Sequence, residues 1–405
     1  MQIHKIIIPN FYKKFSCVGA ACLNSCCYGW NIHIDKKKHI KYISSSDAEI
    51  RDVAKKHLRL TRMGKSKYSV IKFNEEGYCP FFTADKLCVI HQKMGGEALS
   101  LTCANYPRSN NIWGDQLRHT MSMSCSEVAR LVLFEPDSML QHEEINLIAS
   151  EARPLTTSKQ RFAQKNQLIH LFAWNLIGAQ SGNIEANLLA LAQFILYLQR
   201  INFDLSERLS DVETFYNDLM AALQRQEAAT DNSGKEQAVL LKVRALVAVF
   251  KNEVNNTVRN SSLRESYNAV FSYLNVDQPS YITDIQLKFA EIDRQWQQLC
   301  TSSCLAEPYV IRNYLQYQLY TSYFPGRDLS LIMRSFYRMV IDYFCLKVLL
   351  TVKSLHQEIT QEDILHLFAD YHQHVYHSTR MADKLDNAIN EINGGDDLSC
   401  LLLLG

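Results

Sequence analysis

Glycine and proline are both scarce, at 14 and 8 of 405 residues, roughly half of average usage. This excludes a β-sandwich or barrel, which spends turn residues every few positions, and points to long helices. Also missing is any apolar run of about 20 residues, the length that spans a bilayer. The most apolar stretches, 186–198 and 343–352, are too short or are interrupted by Gln and Lys. At the N-terminus only Ile6 to Ile8 run uninterrupted before Pro9, far short of the roughly 7 to 15 apolar residues of a secretory core. These absences predict a cytoplasmic protein without a membrane partner. Charge of one sign is lacking too. A net +1, with 47% apolar and 21% charged residues, excludes a largely disordered chain and carries no overall signature of nucleic-acid binding.

The small net charge conceals an asymmetry. Residues 1–125 hold 19 Lys and Arg against 9 Asp and Glu, an excess of +10 that leaves −9 for the rest. Cysteine divides in the same way, since eight of the 12 lie at or before Cys125. A chain of this length has room for two or three compact units, and composition places the division near residue 130. The fold expected is mainly α: an irregular, cysteine-rich metal-binding module with short strands over 1–130, then an all-α helical bundle over 131–405.

In the front segment, Ile3 to Ile8, Trp30 to Ile34 and Tyr68 to Phe73 read as strands, and Asp47 to Leu60 reads as a charged helix. Beyond Cys125 helical periodicity dominates. Helices are expected over Ser126 to Phe134, over Leu168 to Leu198 with a break at Gly182 and Asn183, and over Ala238 to Val254 and Asp284 to Leu299. Three more are expected over Pro308 to Phe324, Leu329 to Leu355 and Thr360 to Tyr371. Glu151 to Lys159 reads as a linker, Arg225 to Gln237 as a solvated loop, and the tail after Gly394 as loosely held. There is no internal repeat, which argues for a bundle over a solenoid.

The front cysteines fall in a pattern: Cys17, Cys22, Cys26 and Cys27 within eleven residues, then Cys79 and Cys88, then Cys103 and Cys125. A single buried cysteine usually behaves as a small hydrophobe. Eight in loops marked by Gly19, Gly29 and Pro80, in a reducing compartment, read instead as metal ligands. Eight exceed the four that one centre needs, so some stand behind the ligands or there are two sites. Zinc and a 4Fe-4S cluster both remain open on spacing. The lack of CxxC pairs argues against an ordinary zinc ribbon, and adjacent Cys26 and Cys27 suit a 4Fe-4S centre at least as well. His91, three residues after Cys88, is a further candidate ligand, although a lone His is more often packed or solvated.

The run CxGxxCxxxCCxGWxIxID from Cys17, followed by CPFF and LCVIH, then LSLTCANYPR and SCSEVAR, resembles the zinc- or iron-chelating cysteine-cluster domains of bacteria. More closely it resembles the flagellin lysine-N-methylase family, as does RNYLQYQLYTSYFPGRDLS further on. The resemblance implies a cytoplasmic protein-lysine N-methyltransferase that takes S-adenosylmethionine as cofactor and flagellin as protein partner.

Methyl transfer to lysine is an in-line displacement by a neutral amine, so the site must desolvate an ammonium with a pKa near 10.4 or supply a base. The Gly-rich turn of the usual cofactor fold is absent. The CxxxCxxC signature of radical S-adenosylmethionine enzymes is also incomplete, since its third position falls on Gly29. Either a cluster helps to hold the cofactor or its role is structural.

Tyr314, Tyr317, Tyr320 and Tyr323 recur every three residues, and their faces could guide an ammonium or sulfonium. The competing reading is aromatic packing between helices. Tyr106 and Arg108, close after Cys103, are expected beside the thiols, with Arg108 offsetting their charge or lying on a surface turn. Lys36 to Lys38 form either a solvated face or a docking patch for an acidic protein surface. The alternatives to an enzyme are a zinc-stapled adaptor and a redox-sensing cysteine protein.

Overall fold

The structure is a computed structural model that describes residues 2–113, 116–148, 164–226, 236–254, 261–275, 282–377, 385–387, 389–390 and 399–404. The expected linker at 151–159, most of the loop at 225–237 and the tail through Gly394 and Gly395 lie outside these residues. Two compact units divide the chain. The smaller comprises 15–109 and 121–128, and the larger comprises 1–14, 110–120 and 129–405. Thus 1–14 and 110–120 belong with the helical body.

Seven strands are described: β1 (Gln2–Pro9), β2 (His33–Ile34), β3 (Leu58–Leu60), β4 (Ser69–Ile71), β5 (Arg108–Trp113), β6 (Gln116–Met121) and β7 (Gln141–Ile148). In the smaller unit a three-stranded sheet, in the order β2-β4-β3, accompanies two helices with aspartate N-caps. Asp35 accepts from the backbone N–H of Lys38 at the start of Lys36–Ile43, and Asp47 accepts from Ile50 at the start of Ala48–His57. These bonds satisfy donors that a helix start leaves open. The expected helix to Leu60 stops at His57, where the chain turns directly into β3. A core of Ile32, Ile34, Tyr42, Ile50, Ala54, Leu58, Ile71, Phe81, Val89 and Ile90, with Cys79 among them, is closed to solvent. The cysteine segment therefore carries a small hydrophobic core of its own.

The larger unit is mainly helical. Its longest helix, Ile332–Ser354, is buried almost all round, as expected of a central helix. It packs against Ile184–Arg200, Ser261–Leu274, Ile282–Ser302, Tyr309–Thr321 and Gln361–Tyr376. Buried charges tie these helices together. Lys347 Nζ lies 3.0 Å from Glu185 and 2.9 Å from Asp293, and Tyr343 donates to the same Glu185 carboxylate at 2.6 Å. No described helix is long and apolar enough to cross a membrane.

The all-α expectation for 131–405 needs correction, because β7 lies within that range. It pairs antiparallel with β1, while β6 pairs with β1 in parallel, in a sheet ordered β5-β6-β1-β7. The sequence QHEEINLI of β7 has little strand character, and its stability comes from an eight-residue register with β1. Ile6, Ile7 and Ile8 are all buried, as befits a strand covered on both faces. The predicted Pro308 to Phe324 helix ends at Thr321, so Tyr323 is not on it and instead takes a left-handed φ of 58°.

Candidate functional site

Backbone pairing gathers the thiols of the smaller unit. Gly19, with φ of +57°, opens a short 3₁₀ turn that brings the chain from Cys17 to Cys22. Tyr28 and Tyr78 form a bridge, and Cys79 N–H donates to the Cys27 carbonyl at 2.7 Å, so the Cys26-Cys27 pair lies alongside Cys79. A second bridge, Phe82 to Cys88, folds the Cys79-to-Cys88 loop back on itself. Cys103 sits in the first turn of Leu101–Asn105, its N–H bonded to Ser100. Cys125 immediately precedes Ser126–Phe134, and Cys22 Sγ lies 3.5 Å from Ser126 Oγ.

The thiols lie near enough to act on one another electrostatically. A charge on Cys26 is felt at Cys22, Cys27, Cys79, Cys88, Cys103 and Cys125. Cys88 and Cys103 also act on Cys79, and Cys17 acts on Cys22. The thiol of Cys27 donates to Cys26, which lowers the Cys26 pKa to about 7 and raises that of Cys27. Burial pushes Cys79 and Cys125 up to about 12 and Cys103 to about 11. Opposing this, backbone N–H groups of Phe81, of Ile90 and His91, and of Glu127 and Val128 favour the thiolates of Cys79, Cys88 and Cys125 respectively. Such donors are what a sulfur-ligated centre uses around its ligands. The set fits a thiolate-bound group in its chemistry. Among the described residues, however, no group of three or more Cys, His, Asp or Glu is placed so that it could hold a metal ion.

The other expected residues are scattered. Tyr106 faces the thiols, with its hydroxyl 3.0 Å from Ser124 and its ring 4.8 Å from Trp30, whose indole N–H donates to the Cys26 carbonyl. Arg108 is exposed and lies over the Phe15 ring. His91 is exposed, and it is its backbone N–H that reaches Cys88. Of Lys36 to Lys38, Lys38 bonds the Leu99 carbonyl and Lys36 lies over Tyr68. In the larger unit, Tyr314 and Tyr317 are interior. Tyr314 packs edge-on to Phe368 and His372, and Tyr317 to Phe11 and His372. Beside them the buried Asp342 accepts from Tyr371 at 2.7 Å, from Gln318 at 2.9 Å and from Tyr376. Burial raises its pKa to about 6 despite these donors.

The sequence reading missed an open cleft in the larger unit, of about 490 Å³. Its floor is Lys5 on β1 with Gln116 and Arg118 on β6, its rim includes Met139, Leu140 and Gln141, and its wall is Gln167, His170, Leu171 and Trp174. Those four wall positions share one face of the helix Gln164–Gly178 at helical spacing. Arg118 is 5% exposed, with its guanidinium over the Tyr320 ring and 3.5 Å from His170 Nε2. His170 Nδ1 lies 2.7 Å from the Phe324 carbonyl, in the Phe-Pro turn of the sequence. Burial, with Arg118 adding to it, lowers the His170 pKa to about 3, so the ring is neutral.

Residues 170–404 match the model of the FliB lysine N-methylase C-terminal domain, more than half of the chain. The chain belongs to the FliB lysine N-methylase family. It is 28% identical to a lysine-N-methylase of Salmonella typhimurium and equally to one of Salmonella choleraesuis, each alignment covering 98% of both chains. It is also 37% identical over 137 residues to the flagellar biosynthetic protein FliU of Salmonella muenchen, covering 34% of this chain and 81% of that one. No solved structure matches. FliB methylases are protein-lysine N-methyltransferases, and the likeness to two of them takes in the cysteine segment as well as the helical body.

Proposed function

We propose that the protein transfers methyl groups from S-adenosylmethionine to lysine ε-amines of flagellin in the cytoplasm, with a cysteine-ligated 4Fe-4S centre in the smaller unit. The observation that carries this reading is the nearly full-length likeness to lysine N-methylases, thiol segment included. The ligands would come from Cys26, Cys27, Cys79, Cys88 and Cys103, which act on one another most directly, with Cys17, Cys22 and Cys125 beside them. When bound, S-adenosylmethionine supplies an electrophilic methyl group. The chain must hold the acceptor lysine out of water so that its amine is neutral, and must align it with the leaving sulfur.

The test is anaerobic purification with iron and sulfide analysis, beside mass spectrometry of flagellin incubated with S-adenosylmethionine. The reading expects iron, sulfide and methyl-sized mass increments on flagellin lysines. Stoichiometric zinc without iron would overturn the cluster, and unmodified flagellin would overturn the substrate.

A further inference from the structure

The lining of the cleft between β6 and the helix Gln164–Gly178 is specific. Two cationic side chains open into it: Lys5, which pairs with Glu143 at 2.6 Å, and Arg118. None of the lining residues is a carboxylate, three are glutamines, and Trp174, Leu171, Met139 and Leu140 supply apolar surface. The Arg118 guanidinium lies over the Tyr320 ring, its Nε and Nη2 each donate to Gln116 Oε1 at 3.4 Å, and its Nη1 lies 3.5 Å from Nε2 of the neutral His170. Burial lowers its pKa only to about 10, so it is cationic at neutral pH. A carboxylate matches this planar fork and, being charged, would displace the long contact to the neutral Gln116 amide.

We propose that this cleft binds a carboxylate carried on an apolar or aromatic frame, with Arg118 taking the carboxylate and Trp174 walling the rest. A cleft of this size suits a small organic ligand. The inference rests on the methyl-transfer reading for its two sources: the amino-acid end of S-adenosylmethionine, or an acidic side chain of the protein substrate near the target lysine.

The experiment compares the anaerobically purified full chain with Arg118→Gln, Arg118→Lys and Trp174→Ala. Calorimetric titration with S-adenosylmethionine and with S-adenosylhomocysteine is run beside KM and kcat for flagellin. Circular dichroism and melting confirm that each variant is folded, and Trp174→Ala tests the cleft without removing the charge. Loss of one charged hydrogen-bonding partner predicts about 10- to 100-fold weaker binding. If both cofactor forms weaken by that factor in Arg118→Gln and Trp174→Ala, the cofactor is the source. If cofactor binding holds and KM for flagellin rises at unchanged kcat, the protein carboxylate is the source. If folded variants change neither, the inference fails while methyl transfer stands. A wild-type chain that binds no S-adenosylmethionine and leaves flagellin unmodified would overturn both.

Discussion

Lys347→Met tests the charge network at the centre of the helical unit. Lys347 is 6% exposed, and its ammonium sits between Glu185 at 3.0 Å and Asp293 at 2.9 Å. Burial opposes its charge, but the two carboxylates more than offset this and its pKa is raised. Methionine fills similar volume and leaves both carboxylates without their main cation, although Lys242 remains 3.6 Å from Asp293. Breaking a buried pair from one side costs about 3 to 5 kcal/mol, which lowers the melting temperature on the order of 10 °C. Adding Glu185→Gln should recover part of that loss, because the cost lies in uncompensated charge rather than lost packing; Asp293 is kept because the buried Lys242 still pairs with it. Urea unfolding of the wild type, the single variant and the double variant measures both steps. A single-variant loss below about 1 kcal/mol, or no recovery in the double variant, would refute the reasoning.

Thr360 and Asp363 form a reciprocal cap at the start of Gln361–Tyr376; Thr360→Ala should cost about 1 kcal/mol in chemical denaturation. Asp342 has a pKa raised to about 6 by burial, against about 3.9 in the unfolded chain. The folded state thus holds this proton more tightly, and its contribution is full below pH 4 and lost as pH rises through 6, on the order of 2 to 3 kcal/mol. The stability difference between wild type and Asp342→Asn should follow that curve in urea titrations from pH 4 to 7, and a flat difference would contradict it. Among the thiols, Cys79→Ser and Cys103→Ser should lose most of the iron on anaerobic purification, whereas Cys17→Ser, at the exposed edge of the group, should keep it.

Local signals were legible where the chain itself carries the physics. The helices expected from Asp47 and from Thr360, and the break expected at Gly182 and Asn183, fall at helix starts in the structure, where Asp47, Thr360 and Asn183 are the N-caps. The isoleucine run at 6–8 likewise marked a buried strand. Pairing across long separations was not legible. The weakly patterned β7 is held by β1, more than 130 residues away, and the cleft joins Arg118 to His170 from segments 52 residues apart. Cysteine spacing marked a group of thiols, but their neighbours are set by the Tyr28–Tyr78 and Phe82–Cys88 bridges. The tyrosine stripe had two readings, and at Tyr314 and Tyr317 the interior position describes packing.

The most direct test of the central claim is methylation of purified flagellin by the anaerobically prepared protein with S-adenosylmethionine, read by peptide mass spectrometry for the wild type and for Cys79→Ser. The account predicts methylated lysines with the wild type and little or none with a folded Cys79→Ser variant lacking iron. Equal methylation by both would contradict a role for the thiol-bound centre, and no methylation by an iron-loaded wild type would contradict the proposed reaction on flagellin.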